Sequence, residues 1–183
     1  MKEFNCLDLK KYLNHRLIYC VTPKNKKEFG LDNSYLKKEK ININNVSKIE
    51  NIPIKINFGK YDNVVCEGQV VEINKRIKKI YIVGFAYCGD TNEYVSVVYK
   101  DGKEEKVKVP FMDWSRKPRD EFYFVSMYGN KIKSKRLAYC EGEEKHAVYL
   151  HCFSAILEDT KFVDEIKLPD NLFTHIFAIT LEI

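Results

Sequence analysis

One stretch of the chain, residues 61–114, constrains the fold most, because short apolar runs alternate there with turn residues. The runs are rich in Val, Ile and Tyr, which favour strands over helices. Asp101–Gly102 separates two of them, and Asp-Gly between alternating apolar runs is a strong hairpin signal, since Gly tolerates a positive φ. The pattern predicts an antiparallel β meander with strands at 69–73, 79–87, 93–100 and 104–109.

Similar runs follow along the rest of the chain and predict further strands at 52–58, 122–127, 147–157, 162–168 and 175–183. Residues 1–50 are less regular and form a lead-in. A length of 183 residues suits one domain with one buried core. The predicted fold is therefore a single all-β domain, 1–183, folded as an antiparallel two-sheet β-sandwich of the jelly-roll type. Its expected core residues are Val71, Ile73, Ile80, Ile82, Val95, Val97, Val107, Phe124, Ile176 and Ala178.

Charge and hydropathy patterning exclude several classes of protein. The chain has 31 Lys and Arg against 26 Asp and Glu, but the two signs alternate, as in residues 103–106, which is typical of a solvated face. Nucleic acid is therefore a disfavoured partner, and no RNA-binding sheet signature is present. The N-terminus has no apolar signal segment, and no run approaches the roughly 18 residues of a membrane span. We expect a cytoplasmic protein without membrane contact, unless a signal segment has been removed.

The six cysteines are spaced irregularly, and most of them lie inside or beside predicted strands. A free thiol behaves there as a small apolar residue, so we expect reduced cysteines. His151 and Cys152 are adjacent and would point to opposite faces of a strand, which argues against a zinc site. No cofactor is expected. The one alternative is a structural Ca²⁺ held by oxygen atoms of Asp62, Asp90 and Asp113.

Alternating strand directions predict that loops 61–67, 88–92 and 111–120 share one end of the sandwich, which we call the rim. Loops 74–78, 101–103 and 128–131 share the opposite, lysine-rich end. Trp114 is the only tryptophan, and its ring could stack on a sugar while nearby carboxylates and amides bond the hydroxyls. The alternative is that Trp114 plugs the end of the core, with Asp113 capping a turn. The candidate ligand-binding residues are Trp114, Asp113, Asp90, Arg116, Asn92 and Asn63, although Asp62–Asn63 is also typical of an Asx turn.

Several segments in this order resemble a known family: IPIKINF at 52–58, DNVVCEGQVVEI at 62–73, IYIVGFAYCGD at 80–90 and VDEIKLPDNLFTHIFAITLEI at 163–183. They are similar to the galactose-binding-like jelly-roll β-sandwich modules that accompany bacterial glycosidases. The resemblance covers nearly the whole chain. It implies a jelly-roll fold and a sugar-binding or accessory role, and it supplies no catalytic residues.

Three functions fit these observations. A non-catalytic carbohydrate-binding or accessory module would expose Trp114 and take an oligosaccharide as its partner. A structural or homo-oligomerising sandwich with no small ligand would bury Trp114 and show an apolar patch on one sheet face. A binder of anionic polymers would join the lysines of 75–79, 100–103 and 131–135 into one surface.

No catalytic motif is recognised, so we expect a protein that is not an enzyme. The four histidines are far apart in the sequence. His151 and His175 lie in predicted strands and are expected to be core or edge residues. The one enzymatic alternative is a glycosidase, in which Asp90 and Asp113 would form the pair of catalytic carboxylates.

Overall fold

The computed structural model describes residues 2–20, 31, 34–42, 47–116, 124–125, 131–142, 145–157 and 162–183. These residues form strands, turns and one 3-10 helix, with no α-helix among them. The expected all-β, antiparallel β-sandwich is confirmed. None of the described residues forms a helix that is long and apolar enough to cross a membrane.

The strands are named here in chain order. They are β1 (Phe4–Cys6), β2 (Ile18–Tyr19), β3 (Ser34–Lys37), β4 (Lys48–Ile49), β5 (Ile52–Pro53), β6 (Val64–Glu67), β7 (Val70–Arg76), β8 (Lys79–Ala86), β9 (Thr91–Tyr99), β10 (Glu104–Phe111), β11 (Phe124–Val125), β12 (Lys131–Tyr139), β13 (Glu141–Gly142), β14 (Ala147–Ile156), β15 (Phe162–Lys167) and β16 (Asp170–Glu182). The 3-10 helix, Lys38–Lys40, follows β3.

A seven-stranded sheet forms the centre, in the order β1-β16-β8-β14-β12-β11, with β6 also paired to β16. A four-stranded sheet, β10-β9-β15-β7, packs on one of its faces. The expected meander is therefore wrong, because the chain changes sheet between β7 and β8 and again between β8 and β9. The run of β8 is apolar at every position after its first, and such a strand needs cover on both faces. Only β9 and β10 form the expected hairpin, through Gly102 at a φ of 81°.

The two faces of the central sheet are buried in two separate cores. The first core, against the four-stranded sheet, contains Ile80, Ile82, Val95 and Val97. Residues of the lead-in cover the opposite face and close the second core, so they form a third layer that the two-sheet prediction lacks. Nine of the ten expected core residues are buried, and the side chain of the tenth, Phe124, lies outside the described part of the chain.

A bulge in β16 distributes its side chains between these cores. The register against β8 shifts between Ile176 and Ala178. As a result Ile176 and Ile179 enter the first core, while Phe177 and Ala178 enter the second. Gly84 faces this bulge, and a Cβ added to it would lie 2.2 Å from the carbonyl oxygen of His175. The close approach of the two backbones therefore requires glycine at this position.

Candidate functional site

The rim is built by the chain that follows β8 and the chain that follows β10. The Ala86 N–H donates to the Met112 carbonyl over 2.7 Å, and the Trp114 N–H donates to the Ala86 carbonyl over 2.9 Å. A parallel bridge between Ala86 and Asp113 accompanies these bonds. Asp113 and Trp114 are thereby fixed against the end of β8. Of the three loops that sequence reasoning placed at the rim, 88–92 and the described part of 111–120 therefore meet there.

The carboxylates of Asp113 and Asp90 close these loops through backbone hydrogen bonds. The N–H groups of Gly89 and Ser115 donate to Asp113 Oδ2 and Oδ1 over 2.8 and 2.9 Å. The Asp113 N–H donates to Asp90 Oδ1 over 2.8 Å, and Arg116 Nη1 lies 3.0 Å from Asp90 Oδ2. Asp113 thus caps a turn, as the structural alternative predicted. The Asp90–Arg116 pair presents charge to solvent, with side chains 32% and 46% exposed.

Trp114 lies beneath this network and is 3% exposed. Its ring contacts Phe85 and Tyr87, each at a centroid distance of 5.8 Å, and His146 at 4.7 Å. The exposed Trp114 ring expected of a sugar platform is therefore wrong. The physical reason is the backbone link to Ala86, which directs the indole into the second core. Asn92 stays exposed on β9, opposite Pro110.

His151 supports the rim from below, a role that sequence reasoning missed. It is a buried residue of β14, as expected, and its Nε2 lies 3.2 Å from the Asp113 carbonyl oxygen. Its Nδ1 lies 2.7 Å from the hydroxyl oxygen of Ser134. Burial lowers the pKa of His151 to about 4. The ring is therefore neutral at pH 7, and the network assigns its proton to Nε2, which donates to the carbonyl, while Nδ1 accepts from Ser134.

Asn63 belongs to a different, buried cluster with His15 and His175. Asn63 Oδ1 lies 2.9 Å from His175 Nδ1 and 3.2 Å from His15 Nδ1, and the two imidazole rings are 5.0 Å apart. Burial, with a smaller effect of nearby His15, lowers the pKa of His175 to about 3. His175 is therefore neutral at pH 7, and its Nδ1–H donates to Asn63. Asn63 is 0% exposed, so a ligand at the surface does not reach it.

Asp62 fastens the lead-in to this cluster. Its Oδ2 accepts the N–H groups of Leu17 and Ile18 over 3.0 and 2.7 Å, and its Oδ1 accepts the Asn63 amide over 2.7 Å. Burial raises the pKa of Asp62 to about 6, although these hydrogen bonds oppose the shift. The expected local Asx turn is therefore wrong, because the carboxylate joins segments more than 40 residues apart.

The calcium set expected as an alternative is not assembled. The carboxylates of Asp62, Asp90 and Asp113 accept N–H groups, and Asp62 lies in a different cluster from the other two. Within the described part of the chain, no group of three or more His, Cys, Asp or Glu side chains is placed to hold a metal ion.

Two apolar side chains stand exposed at the rim where the sequence drew no attention. Leu172 and Phe173 are 61% and 50% exposed near the start of β16. The Tyr87 N–H donates to the Phe173 carbonyl over 2.8 Å, and the two rings lie 6.4 Å apart. Asn171 beside them donates its amide to Glu93 Oε1 over 2.6 Å. The available signal in the sequence was an apolar pair directly after Pro169–Asp170–Asn171, three residue types that favour turns.

Taken together, the layers and the rim define an antiparallel β-sandwich domain. A family model described as AziU2-like beta-sandwich domain matches residues 14–183. The chain therefore belongs to the AziU2-like β-sandwich family. No curated protein matches it.

Proposed function

We propose that this protein is a non-catalytic structural module that self-associates through its rim. The observation that carries the proposal is the exposure of Leu172 and Phe173 beside a rim whose tryptophan is buried. A complex is stabilised when a second surface covers exposed apolar side chains and removes them from water. The patch lies at the end of the sandwich and not on a sheet face, where the structural alternative expected it.

The charges next to this pair favour a second copy of the chain as the partner. Asp90 and Arg116 present opposite charges from the loops that adjoin Tyr87 and Phe173. In a dimer with two-fold symmetry, each copy offers the same patch, so a patch with both signs of charge is self-complementary. Backbone hydrogen bonds already hold the two acidic residues of the rim. These two side chains therefore lose little further entropy on association.

The test is the molar mass in solution, measured by light scattering across a wide range of protein concentration. We expect a concentration-dependent dimer in the unaltered protein and a monomer in the Leu172→Ser, Phe173→Ser double variant. Ile156→Ser is the matched control, because Ile156 is 78% exposed at the lysine-rich end. A protein that stays monomeric at every concentration, or a dimer that survives the double variant, contradicts the proposal.

An oligosaccharide contact is the second candidate, and the exposed ring of Phe173 favours it. That ring lies 6.4 Å from the ring of Tyr87. Asp90, Asn92 and Arg116 follow at the same rim with polar groups that suit sugar hydroxyls, and the galactose-binding-like resemblance supports the same role. Phe173 would take the stacking role expected of Trp114. A glycan array should then show a ligand that the Phe173→Ala variant no longer binds. An array without any ligand removes this candidate.

Binding of anionic polymers is less well supported, because several lysines of the lysine-rich end have local partners. Lys133 pairs with Glu50, and Lys78 donates to the Ile183 carbonyl over 3.1 Å. The ammonium of Lys100 lies 5.1 Å from the centre of the Phe162 ring. Lysines that already have such partners contribute less to a protein surface that binds polyanions.

A further inference from the structure

A groove of about 500 Å³ opens at the lysine-rich end of the sandwich, opposite the rim. Its floor is the face of β8 and β14 that the lead-in covers elsewhere. Tyr81 lies opposite Ser154 across these strands, and Lys79 lies opposite Ile156. Residues 50–51, which join β4 to β5, Ile52 of β5 and Phe4 of β1 form its walls. This volume is within the range of small-molecule sites.

The groove has an apolar surface that is partly uncovered. The Phe4 and Tyr81 rings meet edge to face at a centroid distance of 6.0 Å. Ile156 lines the same groove and is 78% exposed, the largest exposure among the large hydrophobic residues described. A ligand with an apolar body would therefore find both aromatic and aliphatic contacts here.

The charges around the groove leave one positive charge without an acidic partner. Lys2 lies 3.1 Å from Glu182, and Lys133 pairs with Glu50. Among the described residues, the ammonium of Lys79 has no carboxylate within ion-pair distance, although its charge also acts on Glu182, which lies opposite it on β16. The ammonium lies 5.2 Å from the centre of the Tyr81 ring instead. The groove is lined by Lys2, Lys79 and Lys133. Lys133 is paired with Glu50, whereas Lys2 and Lys79 share Glu182 at the edge of the groove, so an excess of one positive charge remains beside Lys79.

We propose that this groove binds a small amphipathic molecule that carries a single carboxylate. The apolar body packs on Phe4, Tyr81 and Ile156, and the carboxylate pairs with the Lys79 ammonium. The hydroxyl of Ser154, which lines the same groove, supplies a second hydrogen-bond donor. One carboxylate matches the one unbalanced charge, and a charge-assisted hydrogen bond beside an apolar surface is stronger than a neutral one.

The test uses two simple probes on the full chain. Anilinonaphthalene sulfonate combines an apolar ring system with one negative charge, so its fluorescence should rise on saturable binding to the folded protein. Octanoate should displace it, and octanol and octylamine should displace it much less. Lys79→Gln should weaken binding about tenfold, the usual loss when a hydrogen bond to a charged group is removed. Lys79→Met keeps the aliphatic stem and should show the same loss.

Two measurements separate this site from general attraction of the dye. Lys103→Gln removes the same charge from an exposed turn outside the groove and should leave binding unchanged. The methyl resonances of Ile156 should shift when octanoate is added, and those of Leu172 should not. Equal losses in the Lys79 and Lys103 variants, displacement by octanol as strong as by octanoate, or an Ile156 resonance that does not move would each overturn the proposal. Thermal melts of each variant establish that it is folded.

Discussion

The two cores of this protein bury the two faces of one sheet with different chemistry. The first core is mostly aliphatic and is formed mainly by residues between 64 and 181, with Leu9 as its one buried hydrophobic residue from the described part of the lead-in. The second contains a chain of rings in which Phe177 contacts Phe85 and Phe85 contacts Trp114, with His175 packed against Phe85. The first core tolerates any good aliphatic packing, whereas the second depends on particular rings and on partners for buried nitrogen atoms.

The comparison also separates local from long-range construction. Val95 and Val97 reach the first core because their strand alternates inward and outward positions. The lead-in closes the second core. Its Leu17 N–H donates a hydrogen bond to the carboxylate of Asp62, which lies 45 residues further along the chain. A change in the second core should therefore have effects that its local sequence does not suggest.

The largest expected effect is that of Trp114→Ala. The ring is 3% exposed and contacts three other rings, so its removal leaves a cavity that the second core cannot fill. The free energy of unfolding should fall by about 3–5 kcal/mol, measured by urea denaturation. Phe173→Ala removes a half-exposed ring and should cost about 1 kcal/mol or less. Similar losses in the two variants would mean that the Trp114 ring is not a core residue.

Gly84→Ala should have the next largest effect, because it acts where β16 is divided between the cores. The added Cβ would meet the His175 carbonyl oxygen at 2.2 Å, and a backbone atom within a sheet cannot move aside cheaply. We expect a loss of about 2–3 kcal/mol in the free energy of unfolding. Gly59→Ala is the control, since the nearest atom to its Cβ is 3.7 Å away. A Gly84→Ala protein as stable as this control contradicts the bulge.

The sequence predicted the part of the fold that depends on local pattern. Strands β8, β9, β10 and β15 begin within two residues of their expected starts, because runs of strand-favouring residues and the Asp101–Gly102 turn mark them directly. The sequence did not predict that the chain passes from the four-stranded sheet to the central sheet after β7. Turn residues mark where a strand ends, but they do not specify which strand the next one pairs with. The flip of Ala178 into the second core was also missed, because a bulge breaks the alternation that the prediction used.

The sequence predicted that certain residues of the candidate site come together, but it did not predict what their side chains do. Asp90, Asp113 and Arg116 do come together, because strand direction alone places their loops at one end. Their hydrogen bonds to backbone N–H groups, and the burial of Trp114, depend on contacts between residues distant in sequence. Asn63 was assigned to the same site and lies instead with His15 and His175, since its neighbours come from the lead-in and from β16.

Acidification should lower the free energy of unfolding by a smaller amount for each pH unit. His175 and His151 have folded pKa values of about 3 and about 4, below the unfolded value of 6.5, so folding favours their neutral rings. Their stabilisation is complete above pH 6.5 and is lost as the pH falls. Asp62 acts in the opposite direction: its folded pKa of about 6 exceeds the unfolded value of 3.8, so it adds stability as the pH falls through 6.

Two histidines against one carboxyl group leave a net uptake of about one proton on unfolding between pH 6 and pH 4. The free energy of unfolding should therefore fall by about 1.4 kcal/mol per pH unit in this window, as measured by urea denaturation at successive pH values. His175→Gln removes one titrating ring next to the second core and should flatten the dependence. Stability that rises on acidification would show that the buried rings do not control this range.

The smallest expected effect is a difference in thiol reactivity between the two cores. All six cysteines are free, with Cys20 and Cys88 exposed and Cys66 and Cys152 buried in the first and second cores. Burial raises the pKa of the Cys66 thiol and raises that of Cys152 to about 12, so both should resist alkylation in the native protein while the exposed pair reacts at once.

Slow alkylation of the buried pair then reports local opening. Cys152 lies in the second core and lines the groove, beside lead-in strands of two to four residues, whereas Cys66 lies in the first core with the longer strands of the four-stranded sheet. Short strands with few hydrogen bonds open more readily, so Cys152 should be modified faster than Cys66 when each site is followed by mass spectrometry. Equal rates would mean that both cores open only with global unfolding, and the lead-in would then be as firmly attached as the four-stranded sheet.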